Sequence, residues 1–243
     1  MTLPFGIDIS SYQGKVDFDA IASHEPKVEF IGIRAGISWG YTDKWFSRNW
    51  AEAKRVGIPR TAYHVLYPAQ PIKAQMDHWL RIVGEDLGEL PLTLDVELVH
   101  GCTRDQLRDA TLQAAAYIEA KTGRKPIIYS RAGFINDYMT FDQSYNQYDW
   151  WLAQYLATGQ EHQGPPMIPR GLDRERVIIH QTADHTPGFG VESKQLDYNR
   201  WQGDLASLYA YIGKDVDPSD DTGQLSNAEK VYNILQREVK PLL

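Results

Sequence analysis

The sequence predicts a (β/α)8-type barrel, an α/β fold, with reduced or missing helices in its last third and a separate C-terminal helix. Three observations carry this expectation. Eight short, β-prone apolar segments recur along the chain, and the first five alternate with stretches of helical periodicity. Between the fifth and eighth segments the connections are rich in Gly, Pro and Gln and lose that periodicity. No Gly-rich phosphate fingerprint follows the first strand, which disfavours the open doubly wound sheet, the alternative way to arrange alternating strands and helices.

The elements follow in order. Residues 5–9 read as a first strand, with Asp8 toward its C-terminal end and the polar run Ser10, Ser11, Tyr12, Gln13, Gly14 after it. Residues 16–23 predict a short helix and residues 28–36 a second strand. Residues 44–56 are amphipathic, with Trp45, Phe46, Trp50 and Ala53 at helical spacing and Gly57 as the stop. Residues 58–67, carrying Tyr63 and His64, form a third strand; residues 70–83 form a helix, and residues 91–98 the fourth strand. An Ala-rich helix over 103–121 opens on a capping box of Thr103 and Gln106 and stops at Gly123. Residues 126–130 are the fifth strand and 131–138 a short helix. Residues 149–155, 176–182 and 193–198 complete the eight strands. The barrel domain is therefore expected over residues 1–213, with an acidic, turn-rich linker at 214–225 and a helix at 226–243. Ser226 and Glu229 would cap that helix, and Val231, Leu235, Val239 and Leu242 lie on one stripe. A helix of roughly 15 residues is marginal alone, so the stripe should dock on the barrel or form an oligomer contact.

Composition narrows the function classes. The 243 residues are 42% apolar and 23% charged, enough for one large globular domain. No apolar run reaches the ~18 residues of a membrane-spanning helix. The net charge is −7 and no Lys/Arg cluster exists, which disfavours nucleic acid as a partner. One cysteine, Cys102, rules out an internal disulfide. Seven Trp and 14 Tyr exceed what such a core needs and suit stacking on flat faces such as sugar rings.

The fourth strand carries the chemistry. Its segment Pro-Leu-Thr-Leu-Asp-Val-Glu-Leu sets two acids, Asp95 and Glu97, in an apolar run. Side chains alternate along a strand, so both point to one side with Cα atoms about 6.5–7 Å apart. Burial and a like charge raise a carboxyl pKa, so one of the pair could keep a proton near neutrality and act as a general acid. The plainer reading is a solvated strand end whose acids cap the next helix or pair with Arg or Lys. In a barrel, catalytic groups sit at the C-terminal ends of strands. Asp8, His64, Asp95, Glu97, Tyr129, Gln154, Gln181 and Asp197 all fall near such ends, and four helix caps would not gather on one rim.

Taken together, these segments resemble glycoside hydrolase family 25, the lysozymes that cut the sugar backbone of bacterial peptidoglycan. The matching pieces run through about the first 204 residues: Asp8-Ile-Ser with Gln13-Gly14; Ile33-Arg34-Ala35 with Asp43 and Phe46; Ala62-Tyr63-His64; Asp95-Val96-Glu97; Ile128-Tyr129-Ser130; Trp151-Leu152-Ala153-Gln154-Tyr155; His180-Gln181-Thr182; and Leu196-Asp197-Tyr198-Asn199-Arg200. The resemblance implies an N-acetylmuramidase that hydrolyses the β-1,4 bond between N-acetylmuramic acid and N-acetylglucosamine with net retention. Glu97 would be the acid/base. Asp95 would orient the substrate's own N-acetyl group or offset positive charge, and Asp8 and Asp197 would complete the acidic floor. Tyr63, Tyr129 and Trp151 would shape a sugar subsite, with Gln154, Gln181 and His64 at hydrogen-bonding or packing positions. No cofactor or metal is expected. The partner would be peptidoglycan glycan strands, and the site of action the bacterial cell wall. The N-terminus lacks a basic region followed by an apolar one, which suggests a phage or prophage lysin, or a secreted enzyme whose signal has been removed.

The chain departs from the family pattern in two places. Where many members carry Ser/Thr-Glu-Gly after the second strand, it reads Gly36-Ile37-Ser38-Trp39-Gly40; where many carry an aromatic beside the seventh-strand Gln, it has His180 and Thr182. Chitinase-like barrels have a further Asp two residues before the acid pair, and here that residue is Thr93. A non-catalytic sugar-binding barrel and a phage-particle component are the remaining alternatives.

Overall fold

The computed structural model describes residues 3–157, 160, 165–193 and 195–214. The expected linker and C-terminal helix, with Val231, Leu235, Val239 and Leu242, lie outside the described residues.

Nine strands form one sheet: β1 (Phe5–Ile9), β2 (Val28–Ile37), β3 (Tyr41–Thr42), β4 (Arg60–Val65), β5 (Thr93–Asp95), β6 (Ile127–Ser130), β7 (Trp150–Ala153), β8 (Val177–Pro187) and β9 (Gln195–Trp201). β1, β2, β4, β5, β6, β7 and β8 pair in parallel in that order, and β9 closes the ring between β8 and β1. β3 is a short antiparallel extension of β2 beyond the barrel rim. The helices are α1 (Phe18–Ala22), α2 (Phe46–Arg55), α3 (Ile72–Val83), α4 (Arg104–Thr122), α5 (Ala132–Tyr138) and α6 (Leu205–Tyr211). Among the described residues none is long and apolar enough to cross a membrane.

The expected closed barrel with helices thinning toward its end is what the chain forms, and the Thr103–Gln106 capping box opens α4 as its sequence indicates. The eighth strand corrects the simple barrel. β9 runs antiparallel to both neighbours. A parallel crossover needs about a dozen residues or more, whereas β8 continues to Pro187 and leaves room only for a hairpin. The reversal turns β9 around, so its N-terminal end, with Asp197, sits on the rim formed by the C-terminal ends of the other strands.

Two cores hold this shape. The larger lies between the strands and helices α2–α4, with Trp50, Met76, Trp79, Leu107 and Ile118 buried against outward-facing strand residues. The smaller fills the barrel from Phe30, Ile127, Trp151, Ile179 and Trp201, with Leu208 and Tyr209 of α6 packed against them. Full burial of a side chain such as Phe30 contributes roughly 1.5–3 kcal/mol. Gly6 makes its placement possible, since a Cβ there would stand 2.4 Å from the Phe30 ring. α6 was not expected from sequence; seven residues behind the Asp204 cap give too little periodicity to detect.

Candidate active site

Above the inner core the barrel opens into a cleft of about 530 Å³. Its floor is the Trp151 ring, lodged against β2 at Gly32, where a Cβ would meet the ring at 2.7 Å and the Asp8 Cβ at 3.1 Å. Any side chain at position 32 would displace the floor or the acid.

From this floor two relays fix Asp8. The Trp151 indole N–H donates to Asn199 Oδ1 at 2.8 Å, which turns the Asn199 amide so that Nδ2 donates to Asp8 Oδ2 at 2.8 Å. The Tyr129 hydroxyl donates to Gln181 Oε1 at 2.7 Å, so that Gln181 Nε2 donates to the same Asp8 oxygen at 2.8 Å. Burial raises the Tyr129 pKa well above the usual phenol value, keeping it a donor. An oxygen that accepts two amide N–H groups is best occupied by a carboxylate. Asp8 therefore carries the charge, although burial pushes its pKa upward. Its cross-strand neighbour is Asp197. Burial and the Asp8 charge push Asp197 up to about 9, so near neutrality Asp197 holds the proton the two residues share.

The second pair stands at β5. Asp95 ends the strand, and the extended backbone continues one residue further, because Val96 N donates to Tyr129 O at 2.9 Å and Ser130 Oγ donates to Val96 O at 2.7 Å. Glu97 thus lies just past the strand yet faces the same cleft as Asp95. Burial raises both acids, Asp95 well above the ordinary range, with the charge of Glu97 next in weight. Arg131 pulls both down, and Arg34 acts on Asp95 in the same sense. Asp95 Oδ1 is buried without a hydrogen-bond partner among the described residues.

Of the residues singled out in the sequence, Asp8, Tyr63, Asp95, Glu97, Tyr129, Trp151, Gln181 and Asp197 line this one cleft. Two do not. His64 alternates with Tyr63 along β4, so its ring points outward, fully buried and stacked on Trp79 of α3 at 5.4 Å. Burial lowers its pKa to about 3, making it a neutral packing residue rather than a sugar contact. Gln154 turns from the cleft to accept from Met167 N at 2.5 Å, tethering the loop after β7. Sequence reasoning assigned no role to Arg34, Tyr12, Asn199, Tyr155, Asp184 or His185. Arg34 left a signal, a basic residue within an otherwise buried apolar strand.

A closed barrel with four acids gathered over an aromatic floor defines a glycoside-hydrolase type of site. The family model for "Glycosyl hydrolases family 25" matches residues 7–188. Uncharacterized protein YegX of Escherichia coli O6:H1 is 32% identical over 210 residues, covering 85% of this chain and 72% of that protein. Lysozyme M1 of Streptomyces globisporus is 28% identical over 219 residues, covering 84% and 70%. The crystal structure of the bacterial lysozyme from Streptomyces coelicolor superposes with a TM-score of 0.75 at 26% identity, covering 87% of this chain and 98% of that one. The chain belongs to glycosyl hydrolases family 25 and is a glycoside hydrolase.

Proposed function

We propose that this glycoside hydrolase is a peptidoglycan lysozyme, an N-acetylmuramidase that cuts the β-1,4 bond between N-acetylmuramic acid and N-acetylglucosamine. The observation that supports this most is the pair Asp95–Glu97: Glu97 half-buried with a raised pKa, Asp95 deeper with an unpartnered oxygen. The relatives named as lysozymes agree with it.

In this reading Glu97 enters the reaction protonated and donates to the glycosidic oxygen as the C–O bond breaks. The substrate's N-acetyl carbonyl oxygen attacks the anomeric carbon from the opposite side, and Asp95 accepts from the acetamido N–H and offsets the positive charge on the ring that forms. Glu97, now a carboxylate, takes a proton from water as the water opens that ring. Two inversions give net retention, a substrate-assisted departure from the two-carboxylate scheme. Asp8 and Asp197 hold sugar or water and set the local field. Tyr63, Tyr129 and Trp151 wall the subsite.

The test is digestion of purified peptidoglycan, borohydride reduction and mass spectrometry of the new ends. Reduced muramic acid ends are expected, with the β-anomer released first by NMR. Reduced glucosamine ends would move the cut to the other bond, and an initial α-anomer would mean inversion. No new ends with wall binding retained would favour a sugar-binding barrel.

A further inference from the structure

The rim of the cleft carries a second arrangement that none of the four acids explains. Tyr12, in the loop after β1, is 79% exposed yet lines the cleft. Tyr41 on the β2–β3 hairpin is 42% exposed, and Trp39 in the turn of that hairpin is 58% exposed. The two tyrosines share one guanidinium, with Arg34 5.1 Å from the Tyr12 ring centre and 5.7 Å from that of Tyr41. Ser11 ties the loops together: its Oγ lies 3.3 Å from the Tyr41 hydroxyl and accepts from Arg34 Nη2 at 2.8 Å. Single exposed aromatics are ordinary, but three on two adjoined loops, with Tyr12 lining the binding cleft, form a surface.

We propose that Tyr12, Tyr41 and Trp39 form an outer subsite for a further sugar ring of the same glycan strand, beyond the sugars at the scissile bond; this rests on the proposed cleavage of glycan strands. Arg34 is the one Lys or Arg lining the cleft among the described residues, which first suggests an anion receptor. Its chemistry decides otherwise. Arg34 Nε is bonded at 3.0 Å to the buried Asp43 carboxylate, so its charge is already matched. Asp43 Oδ2 also accepts from Ser11 N at 2.8 Å, so the ion pair serves as the bracket that sets the ring angles. What faces outward is then apolar ring surface with polar edges, which fits the C–H face of a neutral N-acetylhexosamine. The subsite lies where the chain reads Gly36-Ile37-Ser38-Trp39-Gly40, and it therefore reads strand length rather than bond type.

The experiment compares kcat/KM on tetrasaccharide and octasaccharide strands of alternating N-acetylglucosamine and N-acetylmuramic acid, for wild type, Tyr12→Ala, Tyr12→Phe and Trp39→Ala. Wild type should favour the longer strand. Tyr12→Ala and Trp39→Ala should each erase about tenfold of that preference, mainly through KM, and Tyr12→Phe should keep it because the ring face is retained. An unchanged length preference in both alanine variants, or an equal loss on both strands, overturns the subsite. Octasaccharide binding to the same proteins, followed by tryptophan fluorescence, separates the two claims. Binding that depends on Tyr12 without any cleavage would leave the subsite standing and remove the muramidase reading, whereas absence of both binding and cleavage would remove both.

Discussion

On the β1–β9 side of the cleft, Asp8 and Asp197 face each other across a strand ladder, and Asp8 is held by two amides that are themselves oriented by Trp151 and Tyr129. On the β5 side, Asp95 and Glu97 sit at a strand end with Arg131 as a nearby counter-charge, and one Asp95 oxygen has no partner among the described residues. Both pairs are raised by burial, but they differ in where their hydrogen bonds go. The first pair is satisfied internally and fixes charge in place. The second pair leaves an acceptor unfilled among the described residues, which fits the reacting role proposed for it.

The sharpest way to break this comparison is to neutralise each acid in turn. On the β5 side, Glu97→Gln should lower kcat on peptidoglycan by about 10²–10⁴, the range of proton transfer, with the fold kept by circular dichroism. Asp95→Asn should cost nearly as much, because an amide cannot take on the negative charge that offsets the positive ring formed in the reaction. On the other side the effects should be smaller and unequal. Asp8→Asn can still present one carbonyl oxygen to the N–H groups of Gln181 and Asn199 but removes the charge they hold, and weakening two charge-assisted hydrogen bonds should cost about 1–3 kcal/mol, so kcat/KM should fall roughly tenfold to hundredfold. Asp197→Asn replaces a group already neutral near pH 7 and should fall less than about tenfold. Equal losses at Asp8 and Asp197 would mean that the shared proton is not lodged on Asp197.

The same proton makes a stability prediction. A carboxyl whose folded pKa is raised binds its proton more tightly folded than unfolded, so it stabilises the fold at low pH. As pH rises from the ordinary carboxylate value toward the folded value of about 9, that contribution is lost. Wild type should thus lose thermal stability between about pH 4 and 9, and Asp197→Asn should flatten the slope. By pH 8 the variant should melt at least about 2–4 °C higher relative to wild type than it does at pH 5, as expected for ~1 kcal/mol in a chain of this size. A slope unchanged by Asp197→Asn would place the titration elsewhere. The smallest effect belongs to His64: His64→Leu should leave kcat/KM within about twofold, since its ring packs on Trp79 behind the barrel wall.

His64 also shows where the sequence stops being legible. Strand-end position was readable from apolar periodicity, and with it the gathering of Asp8, Asp95, Glu97, Gln181 and Asp197. Which face a strand-end residue takes depends on register, and one step along β4 separates Tyr63 in the cleft from His64 outside it. Gln154 fails for a related reason, because it lies where β7 gives way to loop and its amide is drawn to Met167. The reversal of β9 was hidden because strand periodicity is the same in either direction, though the short spacing to β8 could have revealed it. Asn199 was quoted only as part of a motif, and its role needs the Trp151 and Asp8 contacts that only the folded chain brings together.

The central claim is that Glu97 supplies the proton to the departing sugar, and leaving-group dependence tests it most directly. An aryl glycoside with a dinitrophenolate leaving group needs little protonation, whereas a sugar hydroxyl needs it fully. The account predicts that Glu97→Gln hydrolyses such a glycoside of the muramyl unit within about tenfold of wild type while losing about 10² or more on peptidoglycan. An equal loss on both substrates would contradict it and place Glu97 in binding or charge stabilisation instead.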